Sequence, residues 1–70
     1  MKADAYDELT EREREVLSLI VAGHRNKVIA LKLDVAVSTV ESHVHGILNK
    51  FGVSTRLEAV HWMNQHRKDR

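Results

Sequence analysis

The stretch from residue 37 to residue 51 carries two opposed stripes of side chains, and both repeat at the period of an α-helix. The apolar stripe spans an arc of about 100–120° at 3.6 residues per turn, and it consists of Val37, Val40, Val44, Ile47, Leu48 and Phe51. The polar stripe runs along the other side as Ser38, Glu41, Ser42, His45 and Asn49. We therefore expect a helix that covers a core with one side and leaves a line of polar groups on the other, with Gly52 ending it.

A first helix is predicted to begin at Thr10, because Glu13 stands three residues later and completes a capping box. Acidic residues in its first turn also suit the positive N-terminal end of a helix. Its apolar stripe is Val16, Leu17, Leu19 and Ile20. Gly23 is the expected stop, since glycine adopts the left-handed conformation that commonly ends a helix.

A second, short helix is predicted with Asn26 as its N-cap, because asparagine is among the residues that helix starts favour. Ile29 and Leu33 lie one turn apart and should face the core, with either Val28 or Ala30 beside them. Ala30 is small, so another helix could cross closely at that point.

A fourth helix is predicted from Thr55, where Glu58 completes a second capping box. The residues expected to pack inward are Leu57, Val60 and one of the adjacent pair Trp62 and Met63. Adjacent helix positions point about 100° apart, so the other member of that pair is expected to be half exposed and to suit a subunit contact. Four apolar-striped helices with short connections predict an all-α four-helix bundle.

Composition and charge restrict what such a bundle can do. The 70 residues make one small domain, predicted at 9–66 between flexible segments 1–8 and 67–70, with little room for a substrate pocket. The absence of cysteine excludes disulfides and thiolate zinc sites and fits a reducing cytoplasm. No apolar run approaches the roughly 20 residues that cross a bilayer. Residues 1–15 carry a net charge of −3 and residues 24–70 a net charge of +4, which favours weak attraction to a polyanion.

Catalysis and metal binding are not expected. His43 and His45 point about 200° apart on a helix, His61 and His66 are also poorly spaced, and no HExxH motif is present. The sequence also lacks a nucleophile–base pair or converging carboxylates at a useful spacing. We therefore expect no enzyme activity, cofactor, metal ion or small-molecule ligand.

The second and third predicted helices describe a helix-turn-helix, in which the second helix of the motif presents polar side chains to base edges in the DNA major groove. Four pieces of sequence carry a resemblance to a known family: "LTEREREVL", "G..NK.IA", "STV..HV..IL.KFGV" and "TR.EAV". Together, from about Leu9 to Val60, they resemble the LuxR-type helix-turn-helix domain. That domain is the DNA-binding output module of NarL-like bacterial response regulators and of quorum-sensing regulators.

The resemblance implies a domain that binds double-stranded DNA and regulates transcription as a homodimer on two half-sites, with RNA polymerase as a further partner. It implies a recognition helix from about Val37 to Phe51. The base-facing positions fall on Glu41, Ser42 and His45, and the polar stripe adds Asn49. The phosphate-facing positions fall on Asn26, Lys27, Ser38, Thr39 and Lys50. The fourth helix would supply the dimer contact through Ala59, Trp62, Met63 and His66.

Two departures from the family pattern affect DNA binding. Ala36 stands where the family often has serine or threonine, and the loss of that cap could cost about 1 kcal/mol and a hydroxyl contact to phosphate. Glu41 and His45 stand where NarL-like relatives often carry lysine. Binding is therefore expected to be weaker, less dependent on salt, or directed to a different sequence.

Several alternatives stay open from the sequence. The chain fits either the output half of a response regulator or a free-standing regulator, in both cases in the bacterial cytoplasm and bound to the nucleoid. The promoter-reading region of a sigma factor shares the motif, but "FGVSTRLEAV" after the third helix favours the LuxR type. A helical protein-interaction module that has lost DNA binding is also open, because of Glu41 and Ala36.

Overall fold

The computed structural model describes residues 5–67, which form one 3-10 turn and four α-helices and, within that range, no strand. The turn is Ala5–Glu8, and the helices are α1 (Glu11–Val21), α2 (Asn26–Leu33), α3 (Val37–Phe51) and α4 (Arg56–Arg67). The predicted all-α four-helix architecture is therefore confirmed. None of these helices is long and apolar enough to cross a membrane.

The predicted flexible ends fall partly on residues 1–4 and 68–70, which lie outside the described residues. Residues 5–8 form the 3-10 turn, which contacts α3. Arg14 holds this turn in place: its guanidinium carbon lies 5.0 Å from the centre of the Tyr6 ring, and its Nη2 donates to the Asp7 carbonyl at 3.2 Å.

Both predicted capping boxes are present. The Glu13 N–H donates to the Thr10 hydroxyl at 3.1 Å, and the Thr10 N–H donates to the Glu13 carboxylate at 2.9 Å. At the start of α4 the Glu58 N–H donates to the Thr55 hydroxyl at 3.2 Å, and the Thr55 N–H donates to Glu58 at 2.9 Å. Hydrogen bonds from the N–H groups of Ser54 and Thr55 lower the pKa of the Glu58 carboxyl. These two helix starts are therefore fixed by local sequence alone.

The two central helices begin without a side-chain cap. The N-cap of α2 is Arg25, so the prediction of Asn26 at that position is wrong; Asn26 is the first helical residue. The Asn26 side-chain oxygen instead accepts a hydrogen bond from Arg56, 30 residues later in the sequence, so it does not cap the helix. Ala36 is the N-cap of α3 and makes no side-chain hydrogen bond, as an alanine side chain must.

Three helices end in left-handed residues. Gly23 and Gly52, with φ of 97° and 70°, follow α1 and α3 as the sequence predicted, and Asp34, with φ of 57°, ends α2. After α1 the N–H groups of Gly23 and His24 donate to the carbonyls of Ile20 and Leu19, the paired bonds of a Schellman motif. These stops keep the connections short and bring α2 and α3 together as a helix-turn-helix.

The core lies under α3, which contacts every other element. Its buried apolar residues are Leu9, Val16, Leu17, Ile20, Ile29, Ala30, Val40, Ile47, Phe51 and Ala59. Leu33, Val44, Leu48 and Val60 pack partly buried against it, and Ala30 rather than Val28 completes the inner side of α2. Trp62 and Met63 are both half-buried against this core.

Two predicted core residues face outward. Leu57 is 77% exposed, because it lies two residues before the buried Ala59 and therefore points about 200° away from it on α4. Val37 is 40% exposed, since it begins α3 one turn before Val40, the first residue of that helix to be fully buried. The apolar pattern thus predicts the helices correctly, but the prediction that Leu57 and Val37 face the core is wrong.

A buried carboxylate connects α1 to α3. Glu13 is 7% exposed, and its Oε1 accepts a hydrogen bond from Lys50 Nζ at 2.8 Å in addition to the capping bond. Burial raises the pKa of this carboxyl, but the hydrogen bonds and charge of Lys50 and the hydrogen bonds of Thr10 outweigh burial, so the pKa lies below its ordinary value of 4.5. The ionised form therefore stabilises the folded state.

We expect acid to remove this contribution. A carboxyl whose pKa is lower in the folded state stabilises the fold above its unfolded value of 4.5 and loses that effect as pH falls through the folded pKa. Glu13→Gln should cost about 1.5–3 kcal/mol at pH 7, the usual contribution of a hydrogen bond to a charged group, and should show less loss of stability between pH 5 and pH 3.

Urea unfolding of the wild type, Glu13→Gln and Glu15→Gln over that pH range measures the effect. Glu15 is the matched control because its side chain is 50% exposed and lies on the same helix. A Glu13→Gln variant with the full acid sensitivity of the wild type would contradict this account of the buried carboxylate.

Candidate nucleic-acid interface

The polar side of α3 is a continuous exposed surface. Ser38, Glu41, Ser42, His45 and Asn49 are all exposed, whereas Val40, Ile47 and Phe51 on the opposite side are buried. We call these five exposed residues the polar face. The sequence predicted this separation correctly, because the helical period alone determines which side chains share a face.

The polar face points outward because the other side of α3 packs on the rest of the bundle. The inner side of α3 packs on α1, α2, α4 and the N-terminal 3-10 turn. Asp34 and Ala36, in left-handed and extended conformations, form the tight turn that sets α3 against α2. A straight helix of 15 residues is about 22 Å long at 1.5 Å per residue, so its polar face can follow a groove over several base pairs.

The predicted phosphate-facing residues divide into two groups. Lys27, Ser38 and Thr39 are exposed at the starts of α2 and α3. Asn26 and Lys50 are only partly exposed and already have partners, since Asn26 Oδ1 accepts from Arg56 and Lys50 Nζ donates to Glu13. Only the first group is directly available to a phosphate in this conformation.

The starts of α2 and α3 are also suited to anions. Neither N-cap side chain accepts a hydrogen bond from the first turn of its helix. At the start of α3 the Thr39 N–H donates instead to the Ala36 carbonyl at 3.0 Å. A helix N-terminus carries a partial positive charge and binds phosphate oxygens through its N–H groups. The exposed residues Lys27, Ser38 and Thr39 lie at these two helix starts.

Arg56 is a structural residue that the sequence reasoning missed. Its Nη1 donates to Asn26 Oδ1 and its Nη2 donates to the His24 carbonyl, each at 2.5 Å. These bonds join the first residue of α4 to the first residue of α2. No local signal could have revealed this contact, because about 30 residues separate the partners in sequence.

The predicted dimer residues do not form one surface. Ala59 is 1% exposed and belongs to the core, so its side chain offers no area to a partner. Trp62 lies between two rings, with centroids 4.0 Å from Phe51 and 3.7 Å from His66. Met63 is half-buried and His66 exposed.

The outward side of α4 is formed by other residues. Leu57 is 77% exposed, and His61 and Asn64 are exposed one and two turns further on. Together with Thr55, Glu58 and Val60 they line a shallow depression. We call Leu57, Val60, His61 and Asn64 the outer α4 face.

In the described part of the chain, no three histidine, cysteine, aspartate or glutamate side chains lie close enough together to hold a metal ion. The chemistry that this surface offers is hydrogen bonding and charge.

Comparison with known proteins agrees with this geometry. A family model described as bacterial regulatory proteins, luxR family, matches residues 7–63. The nitrate/nitrite response regulator protein NarL of Escherichia coli (strain K12) is 46% identical over 61 residues, which cover 87% of this chain and 28% of that protein. The response regulator protein VraR of Staphylococcus aureus (strain Mu3 / ATCC 700698) is 43% identical over 65 residues, which cover 93% of this chain and 31% of that protein.

The chain thus spans less than a third of the length of these curated relatives. The family match covers the whole helix-turn-helix, including the polar face of α3 and most of α4. The chain belongs to the luxR family of bacterial regulatory proteins and is a DNA-binding domain of a transcription regulator.

Proposed function

We propose that this domain reads DNA by placing the polar face of α3 in the major groove and anchoring the starts of α2 and α3 on phosphates. The observation that carries the proposal is the exposure of all five polar-face residues on a helix whose opposite side contributes Val40, Ile47 and Phe51 to the core. Side chains on such a face reach base edges without any rearrangement of the fold.

Each polar-face residue has a distinct role in this arrangement. Glu41, Ser42, His45 and Asn49 contact base edges, where hydroxyl, imidazole and amide groups donate or accept hydrogen bonds and the carboxylate only accepts them. Ser38 stands at the first turn, close to the uncapped N-terminus, and binds phosphate.

Phosphate anchoring uses exposed side chains at both helix starts. Lys27 supplies a mobile positive charge, and Thr39 supplies a hydroxyl beside the N–H groups of α3. Asn26 acts indirectly in this scheme, because its side chain is engaged with Arg56 and thereby fixes the start of α2. Contacts of this kind position the domain and carry no sequence information.

The regulator that contains this domain acts on transcription, so RNA polymerase is a further proposed partner, and the bacterial cytoplasm, where the nucleoid lies, is the proposed location. The role needs no catalytic group, cofactor or metal ion in the domain itself.

Salt dependence of binding tests the proposal. The affinity for random duplex DNA should fall linearly with salt on logarithmic axes, with a slope near −0.9 for each phosphate contacted. Selection of binding sites from random duplexes should then return a preferred half-site. A chain with weak binding that is insensitive to salt would instead be the protein-interaction module left open by the sequence.

We predict that Glu41 selects a cytosine within the half-site. A carboxylate in the major groove is repelled by phosphates and recovers that loss only at a base that donates a hydrogen bond, as cytosine N4 does. Glu41→Ala should therefore strengthen binding to random DNA while weakening discrimination at one base pair by about 1–3 kcal/mol. Affinities for half-sites varied one base at a time, at fixed salt, give the answer.

Glu41→Lys should bind more tightly still and shift the preference toward guanine at or near the same position. Equal strengthening on every half-site by Glu41→Ala would show that Glu41 reads no base. Specificity would then rest on Ser42, His45 and Asn49.

We also propose that two copies pair through the outer α4 face when they bind two half-sites. Leu57 is the most exposed apolar residue of α4, and a two-fold pair would bury it against the same face of the second copy. Ala59 is left out of this surface because it is buried, and Trp62, Met63 and His66 would contribute only at its margin.

Leu57→Asn should abolish cooperative binding to a duplex with two half-sites and leave the affinity for one half-site unchanged. Leu31→Asn is the matched control, since Leu31 is also 77% exposed but lies on α2. Band shifts on one-site and two-site duplexes measure both quantities. Retention of cooperativity in Leu57→Asn would place the dimer contact elsewhere.

A further inference from the structure

Gly46 lies in the middle of α3, where glycine is unfavourable because it has no side chain to restrict the unfolded backbone. Its backbone is helical, so a special conformation does not explain the residue. A Cβ atom built at this position would collide with the Glu13 carboxylate, whose Oε2 occupies that space. The missing side chain therefore creates the room in which the carboxylate of α1 sits against α3.

The carboxylate in this space holds Lys50. Lys50 Nζ lies 2.8 Å from Glu13 Oε1, and the side chains of the two residues are 33% and 9% exposed. The pair between Arg12 and Glu15 on the same helix is longer, at 3.1 Å, and its side chains are 45% and 50% exposed. Lys50 is thus confined by a largely buried partner, whereas Arg12 is only loosely held in solvent.

Lys50 stands on the edge of α3 that borders the polar face. Thr39, His43, Gly46 and Lys50 follow one another at helical spacing along this edge. Gly46 and Lys50 lie against Glu13 of α1. When the polar face of a helix enters the major groove, its edges face the phosphates that border the groove. A lysine released at this edge has the length to reach them.

We propose that the Glu13 carboxylate, seated in the space left by Gly46, withholds Lys50 from DNA phosphates and so limits the affinity of the domain for DNA of any sequence. The inference rests on the proposed mode of DNA binding and assigns Glu13 and Gly46 as positioning residues that act through Lys50.

Physical chemistry favours retention of this pair in the complex. Moving Lys50 to a phosphate would leave a buried carboxylate without its cation, which is strongly unfavourable. The gain from one phosphate contact is modest and falls with salt. The lysine therefore stays with Glu13 and makes no phosphate contact. Binding to DNA of any sequence loses one positive charge, and base contacts of the polar face do not change.

Glu13→Gln tests the proposal, because glutamine also completes a capping box but does not hold a lysine by charge. For binding of Glu13→Gln to random duplex DNA, the slope of log affinity against log salt concentration should steepen by about 0.9. With one added phosphate contact, the ratio of the Glu13→Gln affinity to the wild-type affinity should be about 3.5-fold larger at 50 mM than at 200 mM salt. Glu15→Gln makes the same change in net charge on the same helix and should leave the slope within error of the wild type.

A second substitution identifies the charge responsible. Glu13→Gln/Lys50→Gln should return the slope to the wild-type value, because Lys50 supplies the added contact. Neither variant leaves a buried carboxylate unpaired, so both can be compared after circular dichroism and urea unfolding have established that they are folded. If Glu13→Gln does not fold, Gly46→Ala is the second variant, because its methyl group takes the space of Glu13 Oε2 and forces the carboxylate to move with no change in charge, and alanine favours the helix. The bond to Lys50 should weaken, and the slope should steepen in the same direction by about 0.9 at most.

Equal slopes for Glu13→Gln and Glu15→Gln would overturn the proposal, as would a steeper slope that persists in the double variant. A wild-type domain without any salt-dependent DNA binding would overturn the proposed function itself. The two failures are thus distinguishable in one set of titrations.

Discussion

A buried carboxylate needs hydrogen-bond and charge partners. In this domain the buried carboxylate is Glu13 of α1, and its partner Lys50 lies on α3, the helix that carries the polar face. Glu13 satisfies the N-terminus of α1 and the ammonium group of Lys50 with the same oxygen atom. The Glu13 carboxylate fits against α3 because Gly46 has no side chain at this point. The core packs behind this contact, so the position of α3 relative to the rest of the bundle is set by polar and apolar interactions together.

The four helix starts divide the domain by role. Capping boxes close α1 and α4, the outer helices that support the bundle, whereas α2 and α3 begin at Arg25 and Ala36 without side-chain acceptors. Open N–H groups reduce the stability of a free helix. A phosphate can bind at a helix N-terminus, which is the role proposed above for the starts of α2 and α3.

Local features of the fold could be predicted from the sequence and distant ones could not. The capping boxes, the glycine stops and the polar face depend on residues within a few positions of one another, and all were predicted correctly. Asn26 was misassigned as a cap because Arg56, 30 residues away, takes its side chain. The pairing of Lys50 with Glu13, 37 residues apart, and the outward position of Leu57 follow from how helices cross, which a one-dimensional pattern does not contain.

The stacked rings at the end of α3 place a natural fluorophore, Trp62, where α3 meets α4. Trp62 is the single tryptophan of the chain, and its indole lies between Phe51, the last residue of α3, and His66 on α4. Tryptophan fluorescence therefore comes from one place, the junction between α3, which is proposed to read DNA, and α4, which is proposed to pair with a second copy. A shift of α3 against α4 would change the emission of this indole without any attached label, so motion at the junction is visible in the unmodified chain.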